Sequence, residues 1–175
     1  MKYSFILLII LAVLSGCSEE PPEEYDRVVF STLLNATWRS ECVIDGTNSY
    51  IPTLVFNMDG SSSYDTGTGS SSRIYHTDNT TCSSIAPEVI DLATFSYTLG
   101  NIIVLDGSVA EITEAIQIDT VNTTEGSTDI GATEFDIYAV KDRLTLYFGN
   151  KEAPYDGTTA ELRPIQLTDS VIYYR

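Results

Sequence analysis

Catalysis by side chains needs a base, a nucleophile or a metal held in place by neighbours, and this sequence is poor in all three. His76 is its one histidine, so neither a two-histidine metal site nor a His-x-x-x-His motif can form. Asp78 follows two residues later, which leaves His76 two roles: a base beside a carboxylate, or a side chain that caps a loop or faces solvent. Serines cluster at 61–63 and 70–72, but neither run carries the Gly-x-Ser-x-Gly elbow that presents a nucleophile, and exposed polar turns account for them. The 25 acidic residues guarantee chance pairs without marking two of them as a glycosidase pair. Asp59 and Asp65 lack the oxygen-ligand density of an EF-hand loop, and no glycine-rich phosphate loop occurs. No enzyme, no metal and no cofactor is expected. The dispersed acids read as a solvated surface, with weak cation binding as the sharper alternative.

The amino terminus carries different chemistry. Lys2 precedes an unbroken apolar run from Phe5 to Leu14, too short for a bilayer span of roughly 20 residues but of signal-peptide length, with the positive charge on the correct side. The run ends Leu14-Ser15-Gly16-Cys17, which resembles the lipobox of bacterial lipoproteins. That resemblance implies cleavage after residue 16 and a diacylglycerol thioether on Cys17, with a further acyl chain often added to its amino group. More than one acyl chain anchors a protein firmly, whereas a single chain binds only marginally. Ser18, rather than aspartate, follows the cysteine, resembling the outer-membrane sorting signal of enteric-type bacteria.

Loss of residues 1–16 removes Lys2 and leaves eight basic against 25 acidic residues, a formal charge of −17. Such a chain repels phosphate backbones and anionic lipid surfaces, so nucleic acid is excluded as a partner. With Cys17 lipidated, Cys42 and Cys82 remain. In an exported protein two cysteines most simply form a disulfide; a zinc site would need more ligands than two cysteines and one histidine supply. The bridge would close a 41-residue loop, for a stabilisation of about 4 kcal/mol.

These side chains must be positioned by strands. Residues 18–26, with Glu19-Glu20-Pro21-Pro22-Glu23-Glu24, read as a flexible acidic tether, and 27–34 as either one helical turn or a plug. Trp38, Ser40, Cys42 and Ile44 alternate with Arg39, Glu41 and Val43, the two-residue period of a half-buried strand. Leu54, Phe56 and Met58 line a second strand, and Asp59-Gly60 predicts a hairpin turn into Ser61–Thr66. Gly67-Thr68-Gly69 breaks the pattern before Ser72–Thr77, and Asp78–Asp91 reads as a long loop. Phe95, Tyr97 and Leu99 form a strand ending at Gly100-Asn101, and Ile102–Leu105 another, ending at Asp106-Gly107. Val109–Val121 is a strand with some helical character, and Thr123–Gly131 a polar loop. Phe135, Ile137 and Ala139 form a hairpin across Lys141-Asp142 with Leu144, Leu146 and Phe148. Ala160–Arg163 and Val171–Tyr174 close the chain. About ten short strands predict an all-β antiparallel up-and-down barrel of 8–10 strands, with a β-sandwich as the alternative, in one domain over 27–175.

Ala36-Thr37-Trp38 resembles the Gly-x-Trp that opens the first strand of lipocalins and of bacterial lipocalin-like lipoproteins. The run from Trp38 through Cys42 to Tyr75-His76-Thr77-Asp78-Asn79-Thr80-Thr81-Cys82, Leu162-Arg163-Pro164 and the closing Asp169–Arg175 are similar to other parts of that pattern. Alanine stands at 36 where those proteins carry glycine, and Arg163 and Arg175 are the candidates for the arginine that stacks on their tryptophan. The resemblance implies an up-and-down barrel that can enclose a small apolar ligand.

A ligand-binding barrel predicts a cavity of a few hundred cubic ångströms near Trp38, Phe56, Tyr97, Phe135, Ile137 and Phe148. The function expected is a membrane-anchored, monomeric lipoprotein that binds a small apolar or amphipathic molecule. The alternative is a non-enzymatic envelope protein whose exposed tyrosines and acidic loops meet another protein or a glycan. Eleven tyrosines suit either role, although strands favour tyrosine in any case.

Overall fold

A computed structural model describes residues 31–59 and 65–175. The signal segment 1–16, Cys17, the tether 18–26, residues 27–30 and the tip of the first expected hairpin (60–64) lie outside the described residues. Nine strands follow in order: β1 (Thr37–Ser40), β2 (Val43–Asp45), β3 (Asn48–Met58), β4 (Thr66–His76), β5 (Glu88–Val109), β6 (Ile112–Asn122), β7 (Thr133–Lys141), β8 (Thr145–Phe148) and β9 (Tyr173–Tyr174). From β3 to β9 each pairs antiparallel with the next. β1 pairs with both β9 and β3, closing an eight-stranded antiparallel barrel, and β2 stays outside it on β3. Closure decides for a barrel over a sandwich.

Strand length shapes this barrel. β3 to β6 have at least 11 residues each, whereas β1, β8 and β9 have four, four and two. At a rise of about 3.3 Å per residue the long strands overhang the short ones by about 20 Å. The wall is complete only where the short strands sit. Beyond them β7 runs on from Ile137 back to Thr133 with no β8 partner.

The complete end is packed solid. Residues 31–34 are helical, and Leu34 enters the core, its carbonyl accepting the Trp38 indole N–H at 2.9 Å. Leu34, Trp38, Tyr97, Leu99, Ile116, Ile118, Tyr138 and Leu146 fill the interior with Phe56. A second apolar cluster lies outside the barrel, where Leu105, Ala115, Ile137, Ala139 and Tyr147 meet Leu167 of the C-terminal segment. Arg163 pins that segment: its guanidinium donates to the carbonyls of Asp136 (2.8 Å) and Ile118 (3.2 Å), pairs with Asp119 at 2.5 Å, and lies 5.3 Å from the Phe135 ring centroid.

Several expected boundaries move, each for a local reason. Gly67-Thr68-Gly69 does not break a strand. It lies within β4, where a Cβ on Gly67 would fall 2.5 Å from the Tyr97 ring and one on Gly69 2.4 Å from Phe95, so glycine makes room for two aromatic rings of β5. Gly100-Asn101 is a bulge rather than a turn, two residues opposite Gln117 between the pairs Leu99↔Ile118 and Ile102↔Ile116. Asp106-Gly107 sits in a second irregularity, and the chain reverses only at Ala110-Glu111, so one 22-residue strand replaces two short ones. The expected Trp38–Ile44 strand is interrupted at 41–42. Opposite that gap Pro52 has no β1 or β2 partner, an allowed place for a residue without an N–H. The loop after His76 ends at Pro87, since β5 starts at Glu88; Ala160–Leu162 is a 3₁₀ turn; and the last strand is only Tyr173–Tyr174. The expected Val109–Val121 strand is divided: Val109 ends β5, Ala110-Glu111 is the turn, and β6 runs extended from Ile112. Cys42 and Cys82 form a disulfide with Cα atoms 5.9 Å apart.

Candidate functional site

Where the long strands overhang, the side chains of the described residues do not fill the barrel interior. A cavity of about 760 Å³ opens there, within the range of small-molecule sites. β3 contributes Leu54 and Phe56, β5 Phe95, β6 Ile118, β8 Phe148 and β9 Tyr173. Their rings form a continuous set: Phe56 meets Phe95 and Tyr97 edge-on at 5.5 and 5.6 Å and stacks with Phe148 at 6.5 Å, and Phe148 meets Tyr173 edge-on at 6.0 Å. Phe56, 2% exposed, is therefore both the top of the packed core and the floor of the cavity. Leu54, Ser71, Val171 and Tyr173 also border an adjoining lobe of about 700 Å³ that reaches Cys42 and Arg73, whose guanidinium lies 4.4 Å over the Tyr50 ring.

The six residues expected around a ligand divide three ways. Phe56 and Phe148 line the cavity. Trp38 and Tyr97 are buried in the core beneath it. Ile137 belongs to the outer cluster, and Phe135 lies under Arg163. The β7–β8 register explains the last two, because Tyr138 pairs with Phe148 and Val140 with Leu146. The even positions of β7 thus face the interior, and adjacent strand residues point to opposite sides. Glu134 and Asp136 reach the cavity, while Phe135, Ile137 and Ala139 pack outward.

Those acids define the polar end of the site with Lys151. The Lys151 ammonium sits 2.8 Å from Asp136 Oδ2 and also pairs with Glu134. Asp136 is 6% exposed, and its Oδ1 accepts the backbone N–H groups of Ile137 (2.7 Å) and Gly149 (3.0 Å). Burial pushes its carboxyl up to about 7, against the opposing pull of those two N–H groups and of Arg163. Burial also lowers the Lys151 ammonium from its ordinary value. Below the cavity, burial raises the Tyr138 hydroxyl and, with the charge of Asp59, pushes Tyr97 up to about 12. Neither hydroxyl finds a hydrogen-bond partner among the described residues.

Leu54, Phe95, Ile118, Tyr173 and the Glu134–Asp136–Lys151 group were not singled out by sequence. Two acids alternating with Phe135 and Ile137 in an apolar strand were the available signal, because carboxylates inside a fold occur where something pairs them. His76 takes a structural place: it is 3% exposed, and its Nδ1 accepts the Ser84 N–H at 3.2 Å and lies 2.7 Å from Ser84 Oγ, capping the loop that carries Cys82. Among the described residues no three of His, Cys, Asp or Glu converge on a metal position.

No family model matches this chain, and no similar curated protein or solved structure was found.

Proposed function

We propose that this chain is a lipid-anchored envelope protein whose lipocalin-like barrel holds a small apolar or amphipathic molecule in its open end. The observation that carries the reading is the 760 Å³ cavity, walled by Leu54, Phe56, Phe95, Ile118, Phe148 and Tyr173 above a filled core. A barrel built only for rigidity would continue its packing, because an unfilled apolar interior costs stability. The lipocalin-like reading draws on the up-and-down order, the helical residues that place Leu34 in the core, and Trp38 at the start of β1. Of the two candidates for an arginine over that tryptophan, Arg163 and Arg175, Arg163 lies on Phe135 instead.

The test is native mass spectrometry of the mature chain carrying Cys17→Ser, exported to the periplasm behind an ordinary cleavable signal and purified without detergent. Adduct mass that disappears on denaturation is expected; a bare chain mass, together with no binding of an added neutral apolar probe, sinks the reading. The anchor rests on Leu14-Ser15-Gly16-Cys17, and Ser18 favours the outer membrane. Cells fed labelled palmitate should label the wild type and leave Cys17→Ser unlabelled. Equal labelling of both would remove the anchor.

A docking role in the envelope is the second reading. Val89, Ile90 and Leu92 are exposed on the first part of β5, where β6 provides no partner before Phe95. An unpaired apolar edge can accept a strand from another protein. Crosslinking from position 90 in intact cells should then capture one envelope protein reproducibly, and a product-free reaction would exclude this role.

A further inference from the structure

The charge at the polar end of the cavity selects among amphipathic molecules. Among the described residues three acids, Asp129, Glu134 and Asp136, border the cavity against one base, Lys151. Lys151 is held between Glu134 and Asp136, so its charge is already matched and carboxylate is in excess. The adjoining lobe does not reverse this balance, since Arg73 shares it with Glu41 and Asp169. A fatty acid or a phosphate ester entering the cavity would bring a third or fourth negative charge to a half-enclosed space, where low surrounding polarity strengthens repulsion. A positively charged head would instead meet unspent carboxylate oxygen. Its flanks would lie near Phe95, Phe148 and Tyr173, whose ring faces attract cations.

We infer that the cavity takes an amphipathic cation, a long-chain or aryl amine or quaternary ammonium, in preference to a carboxylate or phosphate amphiphile with the same tail. This rests on the ligand-binding reading above and adds the class of head group. The tail would lie along the Leu54–Phe56–Ile118 wall, with the ammonium at the Glu134–Asp129 side of the mouth.

The experiment uses the mature Cys17→Ser chain and a neutral fluorescent probe, N-phenyl-1-naphthylamine. Dodecyltrimethylammonium and dodecanoate below their micellar concentrations, and dodecanol below its solubility limit, each compete for it at levels that leave the far-UV circular dichroism unchanged. In about 150 mM salt, where screening acts over about 8 Å, charges outside the site contribute little. The ammonium should displace the probe at about one-tenth the concentration of dodecanoate, the scale of one or two charges met at a wet protein edge. Dodecanol should fall between them. Combining Glu134→Gln with Asp129→Asn, both on exposed residues, should shrink that preference to within about threefold.

Failure of the probe and of all three competitors to bind overturns the cavity reading and the inference with it. Binding of the probe with displacement by dodecanoate as good as by the ammonium overturns the inference alone. A preference that survives the double variant also overturns it, because the selectivity would then come from the net charge of the whole chain.

Discussion

Asp136 is the only buried carboxyl group among the described residues, and it stands where three chain segments meet. Its Oδ1 ties the backbone of β7 at Ile137 to Gly149 at the end of β8, and its Oδ2 holds Lys151. A Cβ on Gly149 would lie 2.5 Å from that Oδ1, so glycine lets the two approach. Burial favours the neutral acid, and the carboxyl is pushed up to about 7. Between about pH 4, where it ionises in the unfolded chain, and about pH 7, the folded protein keeps a proton that the unfolded chain has released. The wild type therefore loses stability as pH rises through that window, by up to about 1.4 kcal/mol per unit. Asp136→Asn keeps an oxygen for both N–H groups and leaves Glu134 to Lys151, so its denaturation free energy should be flatter from pH 4 to 7. The variant should gain on the wild type as pH rises. Parallel pH profiles for the two proteins would show that the Lys151 contact keeps Asp136 ionised throughout the window.

At the scale of elements, β5 and β6 show how far a sequence speaks for itself. The hairpin turns at Ala110-Glu111, with φ of 52° and 66°, values that non-glycine residues adopt at a cost of roughly 1–2 kcal/mol each. A two-residue turn of this hand ordinarily selects Asn-Gly. Ala110→Asn with Glu111→Gly should therefore stabilise the protein by about 1 kcal/mol and raise its melting temperature by about 2–4 °C. The lost Lys141–Glu111 contact, 3.7 Å long with Glu111 94% exposed, offsets little, and an unchanged or lower melting temperature would refute the estimate. The same hairpin explains why β5 reads in the sequence as two strands. Gly100-Asn101 and Asp106-Gly107 carry turn chemistry but are used as irregularities that bend a long strand, while the true reversal carries no turn signal. The barrel was legible because alternation and hairpin spacing recur along the whole chain. The cavity wall was half legible: Phe56 and Phe148 have the right parity, whereas Phe135 and Ile137 sit on a strand with apolar residues on both faces. Parity there depends on what covers the outside, and that is the C-terminal segment held by Arg163, 28 residues away in sequence from Phe135.

For the molecule as a whole, one end of the barrel is held by its core and the other by a covalent bond. Both apolar clusters exclude Cys42 and Cys82. The bridge instead joins the gap between β1 and β2 to the loop after β4, where the long strands run past the short ones. Two hydrogen bonds reinforce the same region: Ser49 Oγ accepts the Cys82 N–H at 3.0 Å, and Asn48 Oδ1 accepts the Asp78 N–H at 2.9 Å. Stability lost with the bridge should come mainly from the freer unfolded chain, because no packed side chain leaves the core. Replacing both cysteines by serine should cost about 4 kcal/mol and lower the melting temperature by about 8–16 °C. Binding of a neutral probe in the main cavity should remain near wild type at temperatures where the variant is folded, since neither cysteine lines it. Probe affinity and melting temperature then separate two roles for the bridge. A large thermal loss with intact binding makes it a restraint on the unfolded chain. A loss of binding in the folded variant makes the overhanging strands depend on it for their shape, and the cavity with them.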